Sequence, residues 1–469
     1  MRIVIGRART AARFATWILG GGFWAAAACL SAVHAQEGDA GGAGGGDAAF
    51  PADAVPATGN PYIFAPDILT PVDQSFLVQS LNTPSGVPSF LGVSAIPRGL
   101  HFNIDETVRY NDNARNLPNG VVAPSNRSKG DLYSVTNVGG TASTQLGLQT
   151  FFVTGYYGLT RYRRNFDLNS DRYSLSAGVN WRLGSPCSGS LVFSTNQSEL
   201  ELQDIGFGAS NSLTKTDRAD FQGRCHIFNR FYATYGAGLS RYSVSSTPLN
   251  DYRQWSARAG LEYAVPKLHT LGVEAVYLKN NFINRVSSVF NPLATDLAQE
   301  QYRAYYTYIV SPKTTVNLSA GISKFKNTSA LGDNSVSVPT YSASINWRAT
   351  PKILFTFATQ YSAGPPQGVL ADYQRSSVTS ASIAYAFSRK LSFSGAYVHS
   401  RTSSSVFSPI LGAALDLETR TNTASLDANY RMTPFLSGGL GYRFSERTDK
   451  LSGLTSKSNL YTVSLNYRR

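Results

Sequence analysis

From about Leu100 onward the chain alternates apolar and polar residues with a period of two, the pattern of a strand that buries only one face. Tyr173, Leu175, Ala177, Val179, Trp181 and Leu183 alternate with Ser174, Ser176, Gly178, Asn180 and Arg182. Tyr341 to Ala349 alternates in the same way with Ser342 to Arg348, and Ala257 to Val265 with Ser256 to Ala264. Leu426 to Met432 does so with Asp427 to Arg431. A soluble sandwich also alternates, apolar inward and polar outward. Here the runs reach ten or more residues, and aromatics gather near their ends like the interface girdles of a lipid-facing barrel.

Turn signals punctuate these runs. Short connectors are expected at Gly139-Gly140, Gly184-Ser185-Pro186, Asn229-Arg230, Pro266-Lys267, Ser311-Pro312-Lys313, Thr350-Pro351-Lys352, Ser388-Arg389-Lys390 and Thr433-Pro434, roughly 37–46 residues apart. Longer polar loops are expected near 112–127, 160–170, 203–215, 282–299, 326–337 and 403–417. Short turns at one end and long loops at the other is the asymmetry of an outer-membrane barrel, whose short end is periplasmic. The fold class is therefore all-β: a transmembrane antiparallel up-and-down barrel over 98–469, with about 18 strands and 16 as the alternative. A barrel of that size is wide enough to hold an aqueous channel. The last run, Tyr461, Val463, Leu465 and Tyr467, resembles the terminal strand of outer-membrane proteins, but ends in Arg468-Arg469 where an aromatic is common.

The residues before the barrel carry a different text. Arg2, Arg7, Arg9 and Arg13 precede an apolar stretch that ends at Val33-His34-Ala35, so 1–35 is expected to be a cleaved export signal. An uncleaved anchor is disfavoured by Gly20-Gly21-Gly22, and a lipoprotein signal at Cys29 by the apolar residues that follow it. Residues 36–97, rich in Pro and Gly and poor in periodic hydrophobicity, read as a disordered periplasmic tether. No later stretch approaches the roughly 18 apolar residues of a membrane helix. Mean hydropathy is −0.16, yet 26 Tyr, 25 Phe, 41 Gly and only 15% charged residues suit a chain apolar on one face alone. The formal net charge of +13 is not read as nucleic-acid binding, because an exported chain seldom meets any.

Candidate chemistry is sparse. Gly-x-Ser-x-Gly and metal-ligand spacings are both absent, so no catalytic residue, cofactor or metal is expected. His101, His226, His269 and His399 fall on separate strands. A hydrolase would need His399 as base with Asp416 or Glu418 nearby; by parity His399 shares the lipid face of Phe393 and Tyr397. Cys187 and Cys225 share the apolar face of neighbouring strands near the short-turn end, where a cross-strand disulfide and a pair of free thiols both fit. The polar face carries Arg182, Arg224, Arg258, Arg348, Arg431 and Arg443 as candidate pore-lining residues, with Asn180, Asn346 and Asn429. Inward arginines would concentrate anions. Glu262, Glu274 and Asp427 share that face, so neighbour pairing is the competing account.

At the barrel's start, Ala95-Ile96-Pro97-Arg98-Gly99 leads into a first strand ending Tyr110-Asn111-Asp112-Asn113. This resembles the Tyr-Asp-Asp-Asn opening of the β-barrel porin 2 family, with Asn111 where the family has Asp. The resemblance covers about 98–469 through its repeated hairpins. It implies a large proteobacterial outer-membrane barrel, often tied to exopolysaccharide export. The implied partners are outer-membrane lipid and lipopolysaccharide, the barrel-assembly machinery and polysaccharide export proteins. Two functions are expected on this basis: a porin-like channel for solutes or an anionic polymer, or a non-conducting structural or assembly component of a secretion complex.

Overall fold

The computed structural model describes residues 99–123, 127–199, 212–246, 248–266, 268–285, 294–329, 332–365, 373–408 and 413–468. The expected export signal and tether lie outside these residues. Eighteen strands follow one another in chain order, from β1 (Gly99–Asn111) and β2 (Asp131–Leu146) to β17 (Leu436–Asp449) and β18 (Thr455–Arg468). Each pairs antiparallel with its sequence neighbours, and β1 also pairs with β18, so the sheet closes on itself. Closure gives every strand a partner on both sides over its short-turn part, the condition for crossing hydrocarbon with strands. No helix among the described residues is long and apolar enough to cross a membrane.

Alternation sets the two faces. On β18, Tyr461, Val463 and Leu465 are exposed on the outside, while Ser456, Ser458, Ser464 and Asn466 point into the barrel. The same split separates Leu175, Leu183, Phe193 and Phe221 from the polar residues between them on β4 (Ser170–Leu183), β5 (Cys187–Glu199) and β6 (Leu213–Phe228). An exposed apolar exterior around a polar interior inverts the soluble sandwich and identifies a membrane barrel.

The connectors at one end, 147–148, 184–186, 229–230, 266–268, 312–313, 351–352, 387–390 and 432–435, are all short. β1 starts and β18 ends at this same end. Three turn expectations need correction. Gly139 and Gly140 lie inside β2, and the turn falls at 147–148, where Gly147 adopts φ +60°. The polar stretches 326–337 and 403–417 are mostly strand. β11 (Thr314–Ser329) and β12 (Gly332–Thr350) leave only 330–331 between them, and β15 (Leu391–Ser408) and β16 (Ala413–Arg431) leave only 409–412. Above the membrane both faces of a hairpin meet water, so ladder pairing continues without an apolar side and the period-two signal disappears.

Candidate functional site: the barrel interior

Across the inner face, polar side chains from two strands repeatedly meet over a glycine on the strand between them. On β6, β7 (Phe231–Val244) and β8 (Tyr252–Val265), Gln222, Gly236 and Arg258 occupy one rung, and Arg258 donates to Gln222 across the gap. A Cβ at Gly236 would lie 2.5 Å from Arg258 Nε. On β2, β3 (Gln149–Tyr162) and β4 the rung is Asn137, Gly158 and Arg172, with Arg172 Nη2 donating to Asn137 Oδ1 at 2.8 Å. On β8, β9 (His269–Phe282) and β10 (Asp296–Ser311) it is Glu262, Gly272 and Tyr305, whose hydroxyl donates to Glu262 Oε2 at 3.0 Å. The missing side chain is what admits the bridge.

These bridges join ion pairs into a wall. Arg224 on β6 pairs with Glu262 on β8, and its guanidinium lies 3.6 Å over the Tyr232 ring on β7. Arg303 Nη2 on β10 meets Glu274 Oε1 on β9 at 3.1 Å. All four charged side chains are largely enclosed, so the pairs restrain strands one or two apart as well as supplying charge.

The six candidate arginines divide by pairing. Arg224, Arg258 and Arg443 are within the wall, engaged with Glu262, Gln222 and the charge of Asp427 respectively. Arg182, Arg348 and Arg431 stand at the short-turn ends of β4, β12 and β16 and are exposed at the rim. Both sequence readings therefore apply, pairing for the arginines enclosed in the wall and exposed cations at the rim. Sequence reasoning did not single out Arg172 or Arg303; the usable signal was a glycine at an inward position one rung from an inward arginine. Among the described strands every inward cation is arginine, whereas Lys215, Lys279, Lys324, Lys326 and Lys457 fall on the outer face. Guanidinium offers planar paired donors suited to carboxylates and phosphates.

At the long-loop end one side of the interior is filled. Tyr242, Val244, Tyr252, Phe282, Leu297, Phe325 and Val338 form a buried apolar cluster from inward positions of β7 to β12. β13 (Ile353–Gly364) stays paired with β12 only as far as Tyr361, but with β14 (Tyr373–Ala386) through Gly364. Beyond that point the hairpin folds inward. Gln299 Nε2 on β10 donates to Ala363 O at 3.4 Å, and Tyr373 stacks on Phe325 with centroids 5.5 Å apart.

The loops at this end are tied to one another and to the closure seam. Asp112 accepts the backbone N–H and side-chain amide of Asn459, each at 2.7 Å, and the buried Asn113 amide donates to Leu117 O, Ser456 Oγ and Lys457 O. The Tyr-Asn-Asp-Asn motif thus locks the top of β1 to β18. Arg115 donates to Asn165 Oδ1 and to both oxygens of Asp167, which Arg127 also approaches at 3.2 Å. Burial pushes the Asp167 carboxyl up, but the Arg115 hydrogen bond and the charges of Arg115 and Arg127 outweigh it and hold the group below its ordinary value. Asp251, in the 245–251 connector, is raised by burial despite the Val244 N–H bonded to it.

Cys187 lies directly opposite Cys225, and the two sulfurs form a disulfide near the short-turn end. His399 faces outward and bonds Asn422 Oδ1 through Nδ1 at 2.7 Å. Glu418 is held by Arg401, Arg420 and Lys450, and the Asp416 side chain lies outside the described residues. Among the described residues no group of His, Cys, Asp or Glu is placed to hold a metal.

Fold and interior together define the class: a membrane-spanning β-barrel with an arginine-rich polar interior. No protein family and no curated protein matches the chain. Among solved structures it is similar to the FrpB iron transporter of Neisseria meningitidis (F5-1 variant, apoprotein form), at 11% identity and TM-score 0.44, over 74% of this chain and 61% of that one. It is also similar to OccK2 (OpdF) of Pseudomonas aeruginosa, at 10% identity and TM-score 0.45, over 79% of this chain and 98% of that one. OccAB4 of Acinetobacter baumannii matches at 11% identity and TM-score 0.43, over 79% and 98%. The chain thus spans less than two thirds of the FrpB structure and nearly all of the two Occ structures.

Proposed function

We propose that this chain is an outer-membrane channel that passes anionic solutes, with arginines of the inner face and short-turn rim setting its charge preference. The observation that supports this most is that every inward cation on the described strands of the closed 18-stranded barrel is arginine, the strand lysines lying on the outer face together with Arg161, Arg241, Arg253, Arg401 and Arg420. The enclosed Arg224, Arg303 and Arg443 are matched by Glu262, Glu274 and Asp427, so the exposed rim set of Arg182, Arg348 and Arg431 carries the unbalanced field. Passage of an anionic polysaccharide during export is the finer form of this reading, supported by the Tyr110 to Asn113 resemblance. The reading includes a cleaved signal at 1–35, a periplasmic tether at 36–97, insertion by the barrel-assembly machinery and contact with polysaccharide export proteins.

Conductance of the refolded mature protein in a planar bilayer under a salt gradient tests it. Discrete steps with an anion-selective reversal potential are expected. A folded, inserted protein that conducts nothing would refute the channel. One observation favours that second reading, a non-conducting barrel within a secretion complex: the inward β13–β14 hairpin and the apolar cluster it rests on occupy one side of the long-loop mouth.

A further inference from the structure

We propose that the outer face of β15 to β17 carries a binding site for the phosphate groups of a phosphorylated glycolipid in the leaflet on the long-loop side. The site is organised by Glu418. Its carboxylate accepts from Arg401 Nη2 and Arg420 Nε at 2.7 Å each, and from Lys450 Nζ at 3.3 Å. The Glu418 side chain is only 7% exposed, while those of Arg401, Arg420 and Lys450 are 50%, 49% and 63% exposed.

Among the described side chains, three cations share one carboxylate, an excess of positive charge at this place on the barrel exterior. Arg401 sits directly opposite Arg420 in the ladder. Like charges across a rung repel, so this register needs an anion between them. Glu418 supplies only one. Each guanidinium has five N–H donors, Glu418 takes one nitrogen of each, and both side chains are half exposed, so paired donors of the kind that grip a phosphate are left for a ligand. Three other outer-face contacts, Arg161 with Asp171, Lys457 with Glu446 and Lys326 with Glu300, are each one cation to one carboxylate.

Height selects a lipid headgroup as the occupant. On the same strands Leu426 and Leu440 are exposed to lipid; Tyr442 is level with Leu426 and one outward position above Leu440, and Tyr397 is opposite Ala424, one outward position above Leu426. The Tyr397 and Tyr442 hydroxyls donate toward the long-loop end, to Asn422 at 3.1 Å and Asn459 at 2.8 Å. Amphipathic aromatic rings mark the membrane–water interface. Arg401 lies four residues beyond Tyr397 along β15, about 10 Å along the membrane normal at the usual rise and tilt, which is headgroup depth. The leaflet assignment rests on the outer-membrane reading given above; the recognition chemistry, positioned cations for a phosphate monoester, does not.

The test uses the refolded full mature chain in detergent, with bis-phosphorylated lipid A as probe and binding read by native mass spectrometry. Arg401→Gln with Arg420→Gln should weaken binding about thirtyfold, since each basic group near a charged lipid surface contributes about fivefold. Lys352→Gln with Lys390→Gln, which removes equal charge from the short-turn end, should leave binding unchanged. Lipid A lacking its phosphates should bind no better to the native chain than to the arginine variant. Inorganic phosphate at millimolar concentration should not compete, and phosphatidylglycerol should bind more weakly than lipid A. Equal losses from both double variants, equal binding of dephosphorylated lipid A, competition by free phosphate, or equal binding of phosphatidylglycerol would each overturn the proposal. Heat-modifiable migration on gels confirms that each variant is folded. Bilayer conductance of the same preparations reports on the channel separately, so a silent barrel that still binds lipid A refutes the channel and leaves this site standing.

Discussion

Replacing Asn113 with alanine should loosen the seam where the barrel closes. Asn113 is 2% exposed, and its side chain reaches four hydrogen-bond partners, its two amide protons shared among three acceptors. It donates to Leu117 O at 2.8 Å, Ser456 Oγ at 3.1 Å and Lys457 O at 2.9 Å, and accepts from Leu117 N at 2.9 Å. Each such bond is worth about 0.5–1.5 kcal/mol net, and buried partners left unsatisfied cost more. Water entering the small gap would rescue the more accessible of them, so the expected loss is about 3 kcal/mol. Asn113→Asp should be at least as damaging, because a carboxylate keeps the bond from Leu117 N but faces two carbonyl oxygens it cannot donate to. The assay is urea unfolding of the vesicle-inserted barrel, followed by tryptophan fluorescence from Trp181, Trp255 and Trp347. The slope with urea should be unchanged while the midpoint falls. A loss below about 1 kcal/mol for the alanine variant, or native behaviour of the aspartate variant, would refute the view of this motif as a clamp.

Four further outcomes follow from the same geometry. Glu262→Ala strands the enclosed Arg224 and should cost about 3–5 kcal/mol, more than Arg224→Leu with Glu262→Leu together; a double-mutant cycle in urea decides. Neutralising Arg182, Arg348 and Arg431 to glutamine should reduce the anion-to-cation permeability ratio by about threefold without lowering stability, and an unmoved reversal potential would place selectivity elsewhere. Because the Asp167 carboxyl is held below its ordinary value, its tie to Arg115 is fully present above about pH 3.8 and is lost as pH falls through the lowered value. Pepsin cleavage within 112–130 should therefore be faster in Asp167→Asn than in the native chain at pH 4, with the gap closing on acidification; a gap independent of pH would exclude this linkage. Replacing Cys187 and Cys225 by serine should cost about 2–4 kcal/mol, and reductant should then have no further effect.

The alternation of Tyr173 to Leu183, the recurrent turns and the aromatic-ended runs carried the fold, because a strand facing lipid on one side and water on the other writes its environment into every second residue. Parity also placed the inward arginines and the outward His399 and Cys187, since side-chain direction is a local property. Height and pairing were not local. Which arginine meets Glu262 depends on strands two apart, and on the glycine between them that lets side chains cross. The ends of the hairpins were hidden where both faces meet water, as at 326–337 and 403–417. The inward lean of β13–β14 and the three cations gathered on Glu418 come from register around the closed barrel. The sequence determined that there is a barrel and which residues face its interior. Only closure of the sheet, which fixes the register of all strands at once, decided which of those residues touch.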